Sequence, residues 1–166
     1  LLDVSKIESG KMGLNKEEFD FNDMVHDVVD EMQRLVDGHS IKLQLDRSAE
    51  VVADKNRLSQ VLINFIDNAV KYSPRKNEVI VSTRKNGKGI ELRVKDRGIG
   101  IPKDKQTHIF SRFYRVEEDK QGKFPGLGLG LYISADTIKR HGGEIFVESK
   151  EGKGSTFGFL IPTTKK

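Results

Sequence analysis

The sequence predicts an α+β two-layer sandwich in which a mixed β-sheet is covered on one face by about three helices. Some segments carry apolar residues at three- and four-residue spacing, which is typical of amphipathic helices. Other, shorter segments alternate apolar and polar residues, which is typical of strands. Both kinds are mixed along one chain of 166 residues, a length that suits a single hydrophobic core.

Helical spacing predicts three main helices. They cover residues 22–38, with Asn22 as candidate N-cap, residues 55–72, and residues 129–141, which end before two glycines. Residues 1–8 also show helical spacing, and we expect the chain to begin within a helix. Alternating segments predict strands at residues 41–45, 51–53, 78–84, 89–96, 144–149 and 155–161. The roughly thirty residues after residue 96 contain short helical fragments only, and an irregular segment of that length is usually functional or disordered.

Composition excludes several classes of function. The net charge is +4, but basic and acidic residues alternate along most of the chain and no basic run is interleaved with aromatic residues, so no nucleic-acid partner is expected. The absence of cysteine excludes disulfides and thiolate metal sites. No apolar run is long enough to cross a membrane and no export leader is visible, so neither is expected of these residues.

The helix predicted at residues 55–72 has one polar and one apolar face. At 100° per residue, the polar face collects Arg57, Gln60, Asn64, Asn68, Lys71, Tyr72 and Arg75. Asn64 and Asn68 lie one turn apart and can direct carboxamide oxygens at a hard cation such as Mg²⁺, while Lys71 offers a positive charge to phosphate. An ordinary solvated helix face explains the same pattern, and for this segment taken alone it is the favoured interpretation.

Two glycine-containing segments are further candidates for ligand binding. In Asp96-Arg97-Gly98-Ile99-Gly100-Ile101-Pro102, an acid that ends a strand can accept a hydrogen bond from an exocyclic amine, and the glycines allow close approach to a flat ligand. A simple strand-ending turn is the equal alternative. In Gly126-Leu127-Gly128-Leu129-Gly130-Leu131, glycines open a helix whose free N–H groups suit phosphate. This second segment matches neither a Rossmann turn nor a P-loop.

The specific signal is the order of four motifs along the chain. Asn-x-x-x-Asn, Asp-x-Gly-x-Gly, Phe110-Ser111-Arg112-Phe113-Tyr114-Arg115 and Gly-x-Gly-x-Gly follow one another. In this order, the chain resembles the catalytic domain of sensor histidine kinases from about residue 18 to residue 162. That domain belongs to the GHKL superfamily, which includes gyrase, the mismatch-repair ATPases and the heat-shock chaperone ATPase and has the Bergerat fold.

The resemblance implies an ATP and Mg²⁺ site. Asn68 would hold Mg²⁺ with Asn64 beside it, and Lys71 and Tyr72 would reach phosphate or ribose. Asp96 would accept from the adenine amine, supported by Thr156 through a water molecule, while Gly98 and Gly100 admit the ring. Further contacts to ATP are implied for Ile101, Phe110, Gly126, Leu127, Gly128, Leu129, Gly130 and Leu131.

The resemblance also implies a lid over the triphosphate at about residues 98–128. Within it, Arg115 would contact the γ-phosphate, so that Asn68, Lys71 and Arg115 form the catalytic set, and Phe110 and Phe113 would hold the lid to the body. The chain departs from the family at Lys123-Phe124-Pro125, where many members carry glycine followed by serine or threonine. We expect a stiffer lid exit here, because proline restricts itself and the residue before it.

Two features indicate which branch of the superfamily the chain resembles. Members that hydrolyse ATP carry a glutamate general base where this chain has Asn64, and an amide cannot take the proton. None of His26, His39, His108 and His141 has the sequence surroundings of a phosphoacceptor histidine. Residues 1–12 instead resemble the end of the dimerisation helix that follows the acceptor, and residues 13–166 the catalytic domain.

The resemblance therefore implies a protein-histidine kinase domain in two-component signal transduction. It would transfer the γ-phosphoryl group to a histidine on an upstream dimerisation domain, from which the receiver domain of a response regulator would take it. We expect a monomeric fragment of a homodimeric, cytoplasmic protein that can be anchored in the inner membrane. A GHKL-type ATPase and a non-catalytic nucleotide sensor are the alternatives.

Overall fold

The structure, a computed structural model, describes residues 5–7, 10, 13–73, 78–111 and 129–163. The elements are, in chain order, β1 (Glu17–Asp20), α1 (Phe21–Leu35), β2 (Ser40–Gln44), β3 (Glu50–Ala53), α2 (Lys55–Lys71), β4 (Glu78–Asn86), β5 (Gly89–Lys95), a 3₁₀ turn (Lys103–Lys105), α3 (Gly130–Arg140), β6 (Glu144–Lys150) and β7 (Gly154–Ile161). The predicted fold class is confirmed, because a mixed sheet carries these three helices on one face.

The main sheet has five strands in the order β2-β4-β5-β7-β6. β2 and β4 are parallel, and the other neighbours are antiparallel. A separate antiparallel pair joins β3 to β1, which the sequence did not predict. β1 has four residues and only Phe19 among them is buried, so it carries too little alternation to be recognised.

The start of α1 corrects one sequence prediction. Asp20 is the N-cap, and its Oδ1 accepts from the N–H of Asp23 at 2.9 Å. The predicted cap, Asn22, lies inside the helix and donates from Nδ2 to the carbonyl of Asp46 at 2.8 Å. The prediction of Asn22 as cap was therefore wrong, because a tertiary contact uses its side chain.

α2 anchors the helical layer on the sheet. Its N-cap is Asp54, whose carboxylate accepts from the N–H of Arg57 at 3.1 Å. The apolar face that the spacing predicts, Leu58, Leu62, Phe65, Ile66 and Ala69, is confirmed as buried, and Val61 is buried as well. The Phe65 ring lies 5.7 Å from the ring of Phe157 and 6.3 Å from that of Phe159, both in β7. This packing settles which face of α2 remains open to a ligand.

The predicted strands agree with the observed ones to within two residues. β4 runs to Asn86 instead of residue 84, because only Gly87 and Lys88 form the turn to β5. Asn86 closes that turn by accepting from the N–H groups of Lys88 and Gly89 at 2.8 and 3.1 Å. The buried apolar residues of β4 and β5 are therefore the alternating ones that the sequence pattern indicates.

Several predicted features lie outside the described residues. They are most of residues 1–12, Arg75, Arg112, Phe113, Tyr114, Arg115, Lys123, Phe124, Pro125, Gly126, Leu127 and Gly128. The division of the chain at residue 12 and the greater part of the lid consequently stay predictions. None of the helices in the described ranges is long and apolar enough to cross a membrane.

His141 joins the end of α3 to the start of α2. Its Nδ1–H donates to the carbonyl of Thr137 at 2.7 Å, and its Nε2 accepts from the N–H of Asp54 at 3.0 Å. These two backbone partners require the neutral ring protonated at Nδ1. Burial lowers the pKa of His141, opposed by the Thr137 carbonyl, and Lys16 lowers it further while Asp54 raises it.

We expect His141 to make stability depend on pH. Its folded pKa is below the ordinary 6.5, so the unfolded chain binds the proton first and stability falls as pH drops through 6.5. His141→Gln should cost about 1–2 kcal/mol at pH 7.5, and the difference from wild type should shrink towards pH 5. Urea unfolding at several pH values measures this, with exposed His26→Gln as control. A difference that is constant with pH would contradict the assignment.

Candidate functional site

The open face of α2 carries the polar side chains that the sequence placed there. Asn64, Asn68, Lys71 and Tyr72 are half-buried, whereas the side chains on the opposite face are buried. Lys71 pairs with Asp67 one turn earlier, at 2.9 Å between Nζ and Oδ2. Both side chains of this ion pair are partly exposed to solvent, so the pair is weak and the ammonium group can turn to another anion.

Asn64 brings α3 against α2. The Asn64 carboxamide oxygen occupies the space that a Cβ would need at Gly130, the first residue of α3. One turn further along α3, the buried Ser134 hydroxyl lies 3.5 Å from Asn64 Nδ2. The third glycine of the Gly-x-Gly-x-Gly segment therefore allows the helix to start directly on the first asparagine of the Asn-x-x-x-Asn motif.

Tyr72 brings the Asp-x-Gly-x-Gly loop against the other end of α2. Its carbonyl accepts from the N–H of Ile99 at 3.0 Å, and the same carbonyl fills the space that a Cβ would need at Gly98. Its N–H donates to the carbonyl of Asn68 at 2.9 Å. Asn68 is one turn from both Asn64 and Tyr72, so it lies between the two contacts with α3 and the loop.

Asp96 is a buried carboxylate with one oxygen engaged. Its side chain follows β5 and its Oδ1 accepts from the N–H groups of Gly98 and Ser155 at 2.8 and 3.3 Å. Among the described residues, Oδ2 accepts no hydrogen bond. Burial raises the pKa of Asp96 to about 6, against the lowering effect of the two N–H donors. The second oxygen is thus available to an external donor.

The structure corrects the position predicted for Thr156. It is paired with Lys95, and the next residue of β7, Phe157, points into the helical layer, so Thr156 points to the opposite face of the sheet from Asp96. Ser155 lies directly beside Asp96, and the two exchange backbone hydrogen bonds at 2.8 and 3.3 Å. Alternation with the apolar Phe157 could have identified Ser155 from the sequence.

The loop after Asp96 is held against the turn between β6 and β7. Gly100 has φ of +71° and faces the carbonyl of Lys150 with no room for a Cβ. Ile101 is buried and donates its N–H to Ser149 Oγ at 2.8 Å. Phe110 packs edge-on against Phe157, with ring centroids 6.4 Å apart, and its role in holding a lid stays a prediction.

The glycine segment is described only from Leu129 onwards. Leu129 precedes α3 and its carbonyl accepts from the N–H of Ile133 at 2.9 Å, Gly130 is exposed, and Leu131 packs against the core. Arg115, Gly126, Leu127 and Gly128 lie outside the described residues. The structure therefore places the amino end of α3 beside Asn64 and leaves the γ-phosphate contact of Arg115 a prediction.

Asn64 and Asn68 are the candidate donors for a hard cation on the open face of α2. In the described part of the chain there is no cluster of three or more His, Asp or Glu side chains that could hold a metal. The carboxamide oxygens of Asn68 and Asn64 suit Mg²⁺, which typically takes one or two protein ligands and completes its shell with phosphate and water. The site thus fits a metal that arrives bound to a phosphate chain.

Comparison with known proteins agrees with this geometry. Residues 53–165 match the family described as histidine kinase-, DNA gyrase B- and HSP90-like ATPase. The chain is 37% identical to the sensor histidine kinase WalK of Bacillus subtilis, over 98% of the chain and 27% of WalK. It is 34% identical to the sensor-like histidine kinase SenX3 of Mycolicibacterium smegmatis, over 98% of the chain and 43% of SenX3. The chain thus spans less than half of these curated relatives.

Solved structures share the fold. Full-length ShkA in complex with AMPPNP superposes with a TM-score of 0.83 at 26% identity, over 98% of this chain and 34% of ShkA. The catalytic domain of the histidine kinase ThkA superposes with a TM-score of 0.77 at 27% identity, over 90% of this chain and 97% of that domain. With a family model matched over residues 53–165, the chain belongs to the histidine kinase-, DNA gyrase B- and HSP90-like ATPase family, in its histidine-kinase branch.

Proposed function

We propose that this domain binds Mg²⁺-ATP and donates the γ-phosphoryl group to a histidine on a separate dimerisation domain, for relay to an aspartate of a response regulator. The observation that carries the proposal is Asp96, which is 4% exposed yet keeps one carboxylate oxygen for an external donor. An exocyclic amine of a purine is a donor of the right kind. The relatives named as histidine kinases and the AMPPNP complex of ShkA support this assignment.

Base recognition would depend on Asp96 and Ser155. The ionised carboxylate would accept from the adenine amine through Oδ2, while the Gly98 and Ser155 N–H groups hold Oδ1. Ser155, rather than Thr156, lies where a hydroxyl can support the base directly or through water. Gly98 and Gly100 contribute by packing against the carbonyls of Tyr72 and Lys150, which holds the loop in place.

Phosphate binding would involve the polar face of α2. Asn68 would hold Mg²⁺ with Asn64 beside it, Lys71 would leave Asp67 for a phosphate oxygen, and Tyr72 would lie by the ribose. Arg115 would meet the γ-phosphate. Mg²⁺ would supply charge neutralisation, which is the main demand of phosphoryl transfer along with in-line positioning. Asn64 cannot act as a general base, so water is not activated and hydrolysis should be slow.

Phosphoryl transfer can be tested with radiolabelled ATP. The domain alone should bind ATP and carry no label, and a fusion with a relative's dimerisation domain ahead of Leu1 should be labelled on the acceptor histidine. Replacing that histidine by alanine, or Asn68 by alanine, should abolish labelling. Stable labelling of the domain alone, or rapid phosphate release without a histidine acceptor, would refute the proposal and favour an ATPase.

Asp96→Asn should separate stability from binding. Because burial raises the Asp96 pKa to about 6, its ionised form costs folding free energy at pH 7.5, and asparagine should increase the thermal stability. The same change should weaken ATP binding about 10- to 100-fold, the value of one hydrogen bond to a charged group. In wild type, affinity should fall as pH drops below about 6 relative to the variant. Scanning calorimetry measures the thermal stability and titration calorimetry measures the affinity for ATP. Equal affinities of wild type and Asp96→Asn at pH 7.5 would contradict the role of Asp96.

Gly130→Ala should displace the Asn64 side chain. The added methyl group would occupy the position of the Asn64 carboxamide oxygen, which can rotate away at little cost in stability. We expect Mg²⁺-dependent ATP binding to weaken about tenfold, with the melting temperature nearly unchanged. In the Asn64→Ala background the same glycine change should have little further effect. Additive losses in the double variant would show that the contact between the two residues is unimportant.

A further inference from the structure

Three polar side chains form a row across the end of the main sheet. Asp96 directly follows β5, Ser155 lies beside it on β7, and Ser149 is the partner of Ser155 on β6. All three face the helical layer, as the apolar Phe157 two residues after Ser155 does. The first two belong to the base site proposed above, whereas neither the motifs nor the proposed chemistry assigns a role to Ser149.

The Ser149 hydroxyl joins three parts of the chain. It accepts from the N–H of Ile101 at 2.8 Å, and it lies 3.0 Å from the carbonyl of Gly154 and 2.7 Å from Ser155 Oγ. A serine hydroxyl has one proton and two lone pairs, so it can donate to Gly154 while accepting from both Ile101 and Ser155. In that arrangement the remaining lone pairs of Ser155 Oγ are free to accept from a ligand or a water.

Gln106 holds the same loop from its other side. This residue follows the 3₁₀ turn, and its Nε2 donates to the carbonyls of Ile101 and Ser149 at 2.9 and 3.0 Å. One carboxamide group thereby bridges the loop after Asp96 to the end of β6. Both backbone groups of Ile101 are satisfied by this pair, the N–H by Ser149 and the carbonyl by Gln106.

The loop between Asp96 and Ile101 has further attachments to α2 and to the turn between β6 and β7, and they are mostly contacts between backbone groups. Ile99 donates to Tyr72 and accepts from the N–H of Gly152 at 2.7 Å, and Gly98 donates to Asp96 itself. Ser149 and Gln106 supply the side-chain hydrogen bonds at the distal end of the loop, and a shift of Ile101 there would be passed along the chain to the Gly98 N–H that orients the Asp96 carboxylate. Ser149 and Gln106 are only half-buried, so their contribution to the core is small.

We propose that Ser149 and Gln106 are positioning residues for nucleotide binding, which hold the loop from Asp96 to Ile101 so that Asp96 and Ser155 present hydrogen-bond acceptors to the base. This inference rests on the proposed function, in which that loop receives adenine. It assigns both residues to base selectivity, because two acceptors favour a purine with a 6-amino group over one with a 6-oxo group.

The test compares affinities for ATP and ITP in the presence of Mg²⁺ by calorimetry. We expect Ser149→Ala and Gln106→Met each to weaken ATP binding about tenfold, the value of one or two lost hydrogen bonds, and to leave ITP binding nearly unchanged. The ratio of the two affinities should therefore fall by about the same factor. Ser149→Thr keeps the hydroxyl and should stay within about threefold of wild type.

Matched controls are Ser82→Ala on β4 and Gln44→Met on β2. Ser82 alternates with the buried Val81, which places its side chain on the face of the sheet opposite the helices, and Gln44 is its partner on the neighbouring strand. They should leave the ratio unchanged. Melting temperatures identify a purely structural role, which would lower stability without changing the ratio. Wild-type selectivity in both Ser149→Ala and Gln106→Met would overturn the inference while leaving the proposed function intact. Failure of the wild-type domain to bind ATP would instead refute the proposed function.

Discussion

The packing of Phe65 against Phe157 and Phe159 is the contact on which the site depends. It presses the apolar face of α2 onto β7, with ring centroids 5.7 and 6.3 Å apart. A helix that buries one face against the sheet leaves the opposite face accessible. The position of Asn64 and Asn68 on that accessible face therefore follows from core packing. A rotation of α2 by one residue, or 100°, would bury amides without partners and expose phenylalanine.

Close backbone contacts then bring the other parts of the site to α2. The carbonyl of Tyr72 lies against Gly98, and the side chain of Asn64 lies against Gly130. A Cβ at Gly98 would clash with the carbonyl oxygen of Tyr72, and a Cβ at Gly130 would clash with Oδ1 of Asn64. The glycines therefore serve first to let the loop and α3 approach α2, and the shape of a nucleotide site results from that approach.

Two buried titratable groups have opposite roles in this arrangement. Asp96 keeps a charge in a desolvated position, where burial raises its pKa to about 6, and an unfavourable position of this kind is typical of a functional group. His141 is held neutral by two backbone partners and connects α3 to the start of α2, which is a structural task. Their hydrogen bonds distinguish the two groups. Both ring nitrogens of His141 have a backbone partner, whereas Oδ2 of Asp96 accepts no hydrogen bond from the described residues.

The sequence by itself determined the fold class, the polar face of α2 and the candidate carboxylate, because periodicity and local motifs record which face of an element is buried. Only the tertiary structure decided that β2 and β4 are parallel, that Asp20 caps α1 and that Ser155 rather than Thr156 accompanies Asp96. It also revealed the contacts of Ser149 and Gln106. Strand register and contacts between distant residues set these features, and a pattern within one segment carries no information about its partner.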